Sequence, residues 1–319
     1  MIIRPAFLLL AFFFLTASLH ATTWDEPWMD DVIREADCLV LARVTAAAED
    51  SVAVTIVRTV AGKEIGPHIV LTRFHQLHLC SMSGGHGPEF GLEGVDSIYL
   101  FIRGNSDSGY GIATPTTGFA VVEEGRAIAT YRHSYHQAYA SIGLYEKTMS
   151  AIFNHYHDRP YDTASVRAYA DSMLALPPVP LTEENVETFF AQHVALETIH
   201  HLRLPGYYER LVPFARDTGN FHNAISGARA LVAEDSEECR RVLLEMVADE
   251  SVGDFVRVMA LRSLLEFDPT DLREELIEIG TTASDEMNGF GGGIMDPRVC
   301  TGLPSVKKAI EKAVEKMGE

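Results

Sequence analysis

Four polar residues on one predicted helix have a spacing that could hold a metal ion: His193, Glu197, His200 and His201. Residues four apart share a helix face, so His193, Glu197 and His201 would present three donor atoms in a column, and Glu197 with His200 has the Glu-x-x-His form of carboxylate-bridged metal pairs. That chemistry needs a second copy of the motif, and the chain has none; the His-Glu-x-x-His pattern of zinc proteases is also absent. The spacing therefore favours a charged helix face on which Glu197 pairs with a histidine. His75, His78 and His86 surround Cys80, but positions three apart on a strand point to opposite faces, so they read as loop histidines and not as a zinc site. His133 with His136, and His155 with His157, read the same way. No Gly-x-Ser-x-Gly elbow occurs, and Gly289–Gly293 is not followed by Gly-Lys-Ser/Thr. Residues 105–116 approach a calcium-loop pattern but place Thr116 where a glutamate is needed. No catalytic constellation and no cofactor follow from these residues, and the expectation is a protein that is not an enzyme.

The helix carrying the four residues opens a recurring pattern. Residues 228–246 and 261–279 match at an offset of roughly 33, a period typical of helical-hairpin arrays. Leu231 and Val232 fall on Leu264 and Leu265, while Leu243, Leu244 and Met246 fall on Leu276, Ile277 and Ile279. Each unit is a helix, an acidic turn and a second helix, and neither helix can bury its apolar face alone. An earlier hairpin is expected over 187–202 and 207–215, with Thr182 capping its start. The segment 182–280 resembles HEAT-type helical repeats, which implies an α-helical solenoid whose concave face binds a protein or another extended ligand. A last helix over 304–317, with Val306, Ile310 and Ala313 at helical spacing, would cap the open end.

Upstream, five short runs have strand character: 38–44, 52–60, 68–74, 97–102 and 119–122. They are rich in β-branched residues and separated by turn signals, with no helix between them, which argues for a small barrel or sandwich. The run Ala36-Asp37-Cys38 through Val44, the strand ending at Val60-Ala-Gly-Lys63, the central Cys80, the strand Ser97–Ile102 and the segment Thr117–Val121 resemble netrin-like barrels of OB type. That fold is shared with tissue inhibitors of metalloproteases, so the resemblance also raises a role as an extracellular protease inhibitor. In that family the mature chain begins with a cysteine whose amine reaches the protease zinc; here cleavage would leave Thr22, and the inhibitory chemistry has no residue to sit on.

Composition sets the compartment. Met1–Arg4 supplies a positive charge, Pro5–Leu19 is an apolar run too short for a comfortable membrane span, and Leu19-His-Ala21 offers a cleavage site, so residues 1–21 read as a secretory signal peptide. The expected division is a barrel over 22–143, helices and a proline-rich connector over 144–180, the repeats over 181–280 and a glycine-rich loop with the capping helix over 281–319. Of 319 residues, 47% are hydrophobic, enough for two cores. The formal charge of −19 repels phosphate backbones and anionic lipids, which argues against nucleic-acid or membrane binding once the leader is removed. Export, to the periplasm or beyond, permits disulfides among Cys38, Cys80, Cys239 and Cys300. Cys38 with Cys80 is the favoured pair. Cys239 matches Leu272 in the repeat alignment, so it is either a buried small side chain or the partner of Cys300. The function expected is binding through the repeat surface and the barrel; the alternative is a metal-binding module or metal-dependent hydrolase using the histidines of 193–201.

Overall fold

A computed structural model describes residues 22–81, 88–286, 296 and 298–318. Residues 1–21, expected to be a leader, His86 and the glycine run 289–293 lie outside the described residues. Strand β1 (Thr23–Asp25) and helix α1 (Met29–Glu35) precede β2 (Cys38–Ala48), β3 (Ser51–Gly62), β4 (His68–Phe74) and β5 (His78–Ser81). Then follow β6 (Ser97–Asn105), β7 (Gly109–Ile112), β8 (Phe119–Glu123), β9 (Arg126–Ala129) and β10 (Ala138–Ser141).

Five strands close into a barrel. β2 pairs antiparallel with β3 and with β6, β3 with β4, and β7 closes the ring by lying parallel to β4 and antiparallel to β6. All five expected runs form strands, but the fifth, β8, leaves the ring and extends the sheet from β6 through β9 to β10. The closing strand comes from 109–112, a segment whose start the sequence places in a turn. Its pattern is hidden because two glycines permit the reversal: Gly104 (φ +117°) and Gly109 (φ +76°) take left-handed conformations, and a Cβ on Gly104 would lie 2.1 Å from the Gly109 carbonyl oxygen.

Strands β2 and β6 are buried on both faces, which explains their imperfect alternation. Cys38, Val40, Ala42, Ile98, Leu100 and Ile102 fill the barrel interior. Leu39, Tyr99 and Phe101 point outward into a second core shared with α1 and the helices that follow. The barrel is thus built onto the helical part through a continuous apolar layer.

Those helices are α2 (Ile142–Tyr156), α3 (Thr163–Leu174), α4 (Val186–Leu202), α5 (Tyr208–Ala215), α6 (Phe221–Leu231), α7 (Glu237–Ala248), α8 (Asp254–Leu264), α9 (Arg273–Thr282) and α10 (Val306–Lys316). Asp162, Asn220, Ser236 and Ser305 cap α3, α6, α7 and α10 through side-chain oxygens. Thr182 does not cap α4, which starts later, with Asn185 at its N-cap. Along one row α4 packs on α6, α6 on α8 and α8 on α10; across the layer α5 packs on α6, α7 on α8 and α9 on α10. At the α5–α6 crossing Gly227 is required by proximity, because a Cβ there would sit 2.4 Å from the Ala215 amide nitrogen. Among the described residues no helix is long and apolar enough to cross a membrane.

The disulfide joins Cys80 to Cys300, not to Cys38. Cys38 faces the barrel interior and Cys239 the helical core, both as buried free thiols. Cys80 lies on β5, which pairs with β1, and on the other side of β1 the chain returns: Trp24 bridges to Val299, and the Cys300 amide donates to the Trp24 carbonyl at 2.8 Å. The bond therefore ties the C-terminal segment to the barrel across a strand from the start of the described chain. It closes a loop with a sequence separation of 220 residues. Chain-entropy reasoning makes a closure of that length worth up to about 5 kcal/mol. A Cys80→Ser/Cys300→Ser variant is expected to unfold at a clearly lower urea concentration than the oxidised protein and to match it under reductant; identical midpoints with and without reductant would contradict the pairing.

Candidate functional site

The densest group of ionisable side chains forms where the β9–β10 loop meets the inner row of helices. Thr130 Oγ1 and the His136 amide both donate to the His133 carbonyl (2.8 and 3.1 Å), folding the loop, and the Met29 amide donates to the Arg132 carbonyl (2.9 Å), fixing it to α1. The loop then lies against α4, α6 and α8: Tyr135 meets Phe255 edge-on, and His136 meets His193. Trp28 stands beside it, with Arg262 3.9 Å and Arg229 5.7 Å from its ring centroid. These arginines occupy matching places in the two aligned repeats, so equivalent positions on α6 and α8 converge on one indole.

At the centre is Glu197, with no exposed surface. It accepts from Arg229 Nε at 2.9 Å and from Ser226 Oγ at 2.7 Å, while Arg132 Nη1 stands 3.6 Å away. Arg132, also fully buried, donates to Ser226 Oγ and to His222 Nδ1, each at 3.1 Å. Ser226 gives its single proton to Glu197, so the 3.0 Å contact with His193 Nδ1 makes that nitrogen the donor. His193 Nε2 is then a bare acceptor, buried and without a partner among the described residues. His136 meets this ring edge-on and stacks on His222, at centroid distances of 4.0 and 4.1 Å.

Burial alone would raise the Glu197 carboxyl, but Arg229 and then Arg132 outweigh it and hold the group ionised, at about 2. Burial pushes the histidines down: His133 and His201 to about 4, His222 to about 3, and His136, His193 and His200 well below the ordinary value. Their hydrogen bonds suit the neutral ring. His201 receives the Tyr156 hydroxyl at Nδ1 (2.8 Å) and faces the Tyr131 carbonyl with Nε2, while His200 Nδ1 faces the Arg229 carbonyl at 2.8 Å.

The residues singled out from the sequence meet different fates. His193, Glu197 and His201 do share a face, but it is buried, and Glu197 pairs with guanidiniums and a hydroxyl instead of a histidine. The donor atoms of Glu197 and His201 are taken by protein groups, and among the described residues no three His, Cys, Asp or Glu side chains are grouped to hold a metal. His133 and His136 are core residues, not surface ones. Ser226, His193 and Glu197 also fail as a hydrolytic relay: the serine bonds to both partners, whereas a relay needs the imidazole between hydroxyl and carboxylate. Arg132, Ser226 and Arg229 were missed. Their signals were faint: a polar and aromatic loop, Tyr131–His136, too rich in rings for an open turn, and an arginine set among alanines and glycine at 227–230.

No protein-family model matches the chain, and no curated protein or solved structure is significantly similar to it. The arrangement therefore stands on its own geometry, as an ionic junction between the barrel side and the helices.

Two outcomes follow. Glu197→Gln leaves two buried guanidiniums without a counter-charge and is expected to cost about 3–5 kcal/mol in urea unfolding, as for a broken buried pair; a loss under 1 kcal/mol would mean that the carboxylate is not needed there. The histidines have folded values below the unfolded value near 6.5, so the unfolded chain takes up more protons in between. Their full contribution is present above about pH 6.5 and declines as pH falls towards 4, with Glu197 adding its loss below about 4.5. The urea midpoint is therefore expected to be level from pH 8 to 7 and to drop steadily from pH 6.5 to 4.5.

Proposed function

We propose that this is an exported, non-catalytic binding protein in which a netrin-like barrel of OB type and a HEAT-like helical array jointly hold a protein or other extended ligand. The ring order β2-β3-β4-β7-β6, with its one parallel pair, supports the OB reading. The helix rows, stacked pair on pair at a period of roughly 33 residues, support the array. Export is supported by the apolar run before Ala21 and by the disulfide. The division at 22–143, 144–180, 181–280 and 281–319 belongs to the same reading.

The observation that carries the proposal is that Glu197, Arg229, Arg132 and Ser226 bond to one another inside the junction, with no exposed surface at Glu197, Arg132 or Ser226. The middle of the inner row, around His193, Ser226 and Phe255, is covered by the β9–β10 loop, so contact with a partner falls on the remaining surface. Apolar side chains are exposed there at Leu181, Phe221 and Ile277 of the array and at Val57 and Val70 of the barrel.

A photo-crosslinking residue placed at each of those five positions in the native host is expected to trap a discrete partner from at least one array position. Absence of any adduct from all five would overturn the proposal. Elemental analysis separates the metal-dependent alternative: one zinc or iron per chain, lost in His193→Ala, would transfer the reading to it.

A further inference from the structure

A cleft of about 660 Å³ opens where four parts of the chain meet: residues 25–35, the β4–β5 turn at 75–78, Arg262 of α8 and residues 301–304. Its size falls within the range of about 300–1,000 Å³ usual for ligand sites. Two features of its wall call for a cationic donor. Asp25, Asp30 and Asp31 make no ion pair among the described residues; Asp25 and Asp31 line the cleft and are exposed, and Asp25 accepts only from the Thr301 hydroxyl there, at 2.6 Å. Among the described residues the two lining arginines form no ion pair with them: Arg34 lies 4.3 Å over the Tyr156 ring and Arg262 3.9 Å over the Trp28 ring. Burial, and then the neighbouring Asp30, raise the Asp31 carboxyl, and Arg262 and Arg34 offset this only in part.

The second feature is independent. Gln76 is 8% exposed and its amide orientation is fixed, because Nε2 donates to the Asp31 carbonyl at 2.9 Å. Its Oε1 is therefore an acceptor, and it has no partner among the described residues. Beside it both ring nitrogens of His75 also lack partners among the described residues, and burial, followed by Arg103 and Arg73, lowers that imidazole to about 4 and keeps it neutral. A neutral imidazole presents one donor and one acceptor, the complement of a peptide group.

The geometry points to this cleft as the docking site for a basic segment of a partner polypeptide, with a lysine or arginine side chain between Asp25, Asp31 and Gln76 and an adjoining peptide group against His75. The volume exceeds what a single side chain needs, and the chain's charge of −19 draws a basic partner towards it. This inference rests on the binding role proposed above and names the partner's chemistry.

The test uses the mature full-length protein and a fluorescein-labelled peptide of alternating lysine, arginine and serine, with a glutamate counterpart, read by fluorescence anisotropy at physiological salt. The basic peptide is expected to bind and the acidic one not. Asp25→Asn/Asp31→Asn should weaken binding about tenfold, whereas Asp235→Asn/Glu250→Gln, an equal charge change on the turns flanking α7, should leave it within twofold. Equal effects of the two variants would reduce the attraction to net charge and overturn the site. Full competition by free arginine at the peptide's own concentration would overturn the polypeptide as occupant. A photo-crosslinker at Leu303 should trap the basic peptide. If it does not, while the array positions still trap a native partner, the cleft proposal falls and the binding role stands.

Discussion

A carboxylate with no access to water constrains this molecule more than any other single feature. Glu197 stays ionised only because Arg229 and Arg132 reach it, and these come from different places: one from α6, the other from the loop between β9 and β10. A buried charge without partners costs several kcal/mol, whereas a well-satisfied ionic group adds little net stability over an apolar one. The consequence is geometric. Once α4 carries Glu197 into the interior, the loop must dock on the helix row, and with it the sheet extension and the barrel.

The rest of the junction follows from that placement. The loop brings His133 and His136 into a dry layer where only the neutral imidazole is tolerated, and each ring finds a carbonyl, hydroxyl or neighbouring ring that suits one tautomer. Trp28 offers its face to the repeat-related Arg229 and Arg262, which spreads the positive charge gathered around one carboxylate. On another flank the Cys80–Cys300 bond holds the chain's end against β1. The polar cleft lies between these attachments, bounded by α8 on one side and the disulfide-bound segment on the other, so its walls are fixed by two unrelated constraints.

Much of the architecture was legible because it depends on local repetition. Alternation and β-branching marked β2, β3, β4, β6 and β8, and apolar spacing marked the helices from α2 to α10, including the hairpins around 234 and 268. The strand β7 was not legible: four residues starting with glycine hold no alternation to detect, and they become a strand only because β4 and β6 present free edges to them. The covering of the polar face of α4 was not legible for a related reason. His193, Glu197 and His201 look like a solvated stripe on a helical wheel, since spacing reports which residues share a face and says nothing about what covers it.

The sequence by itself determined the five longest strands, the helices, the acidic charge and the presence of a repeating helical pair, because each depends on residues within a turn or two of one another. Tertiary structure alone decided which strand closes the ring, that Cys80 meets Cys300, and that Arg132 and Arg229 meet Glu197. Those contacts join residues from about 30 to 220 positions apart, and their partners are selected by how whole layers pack, a choice that no local pattern encodes.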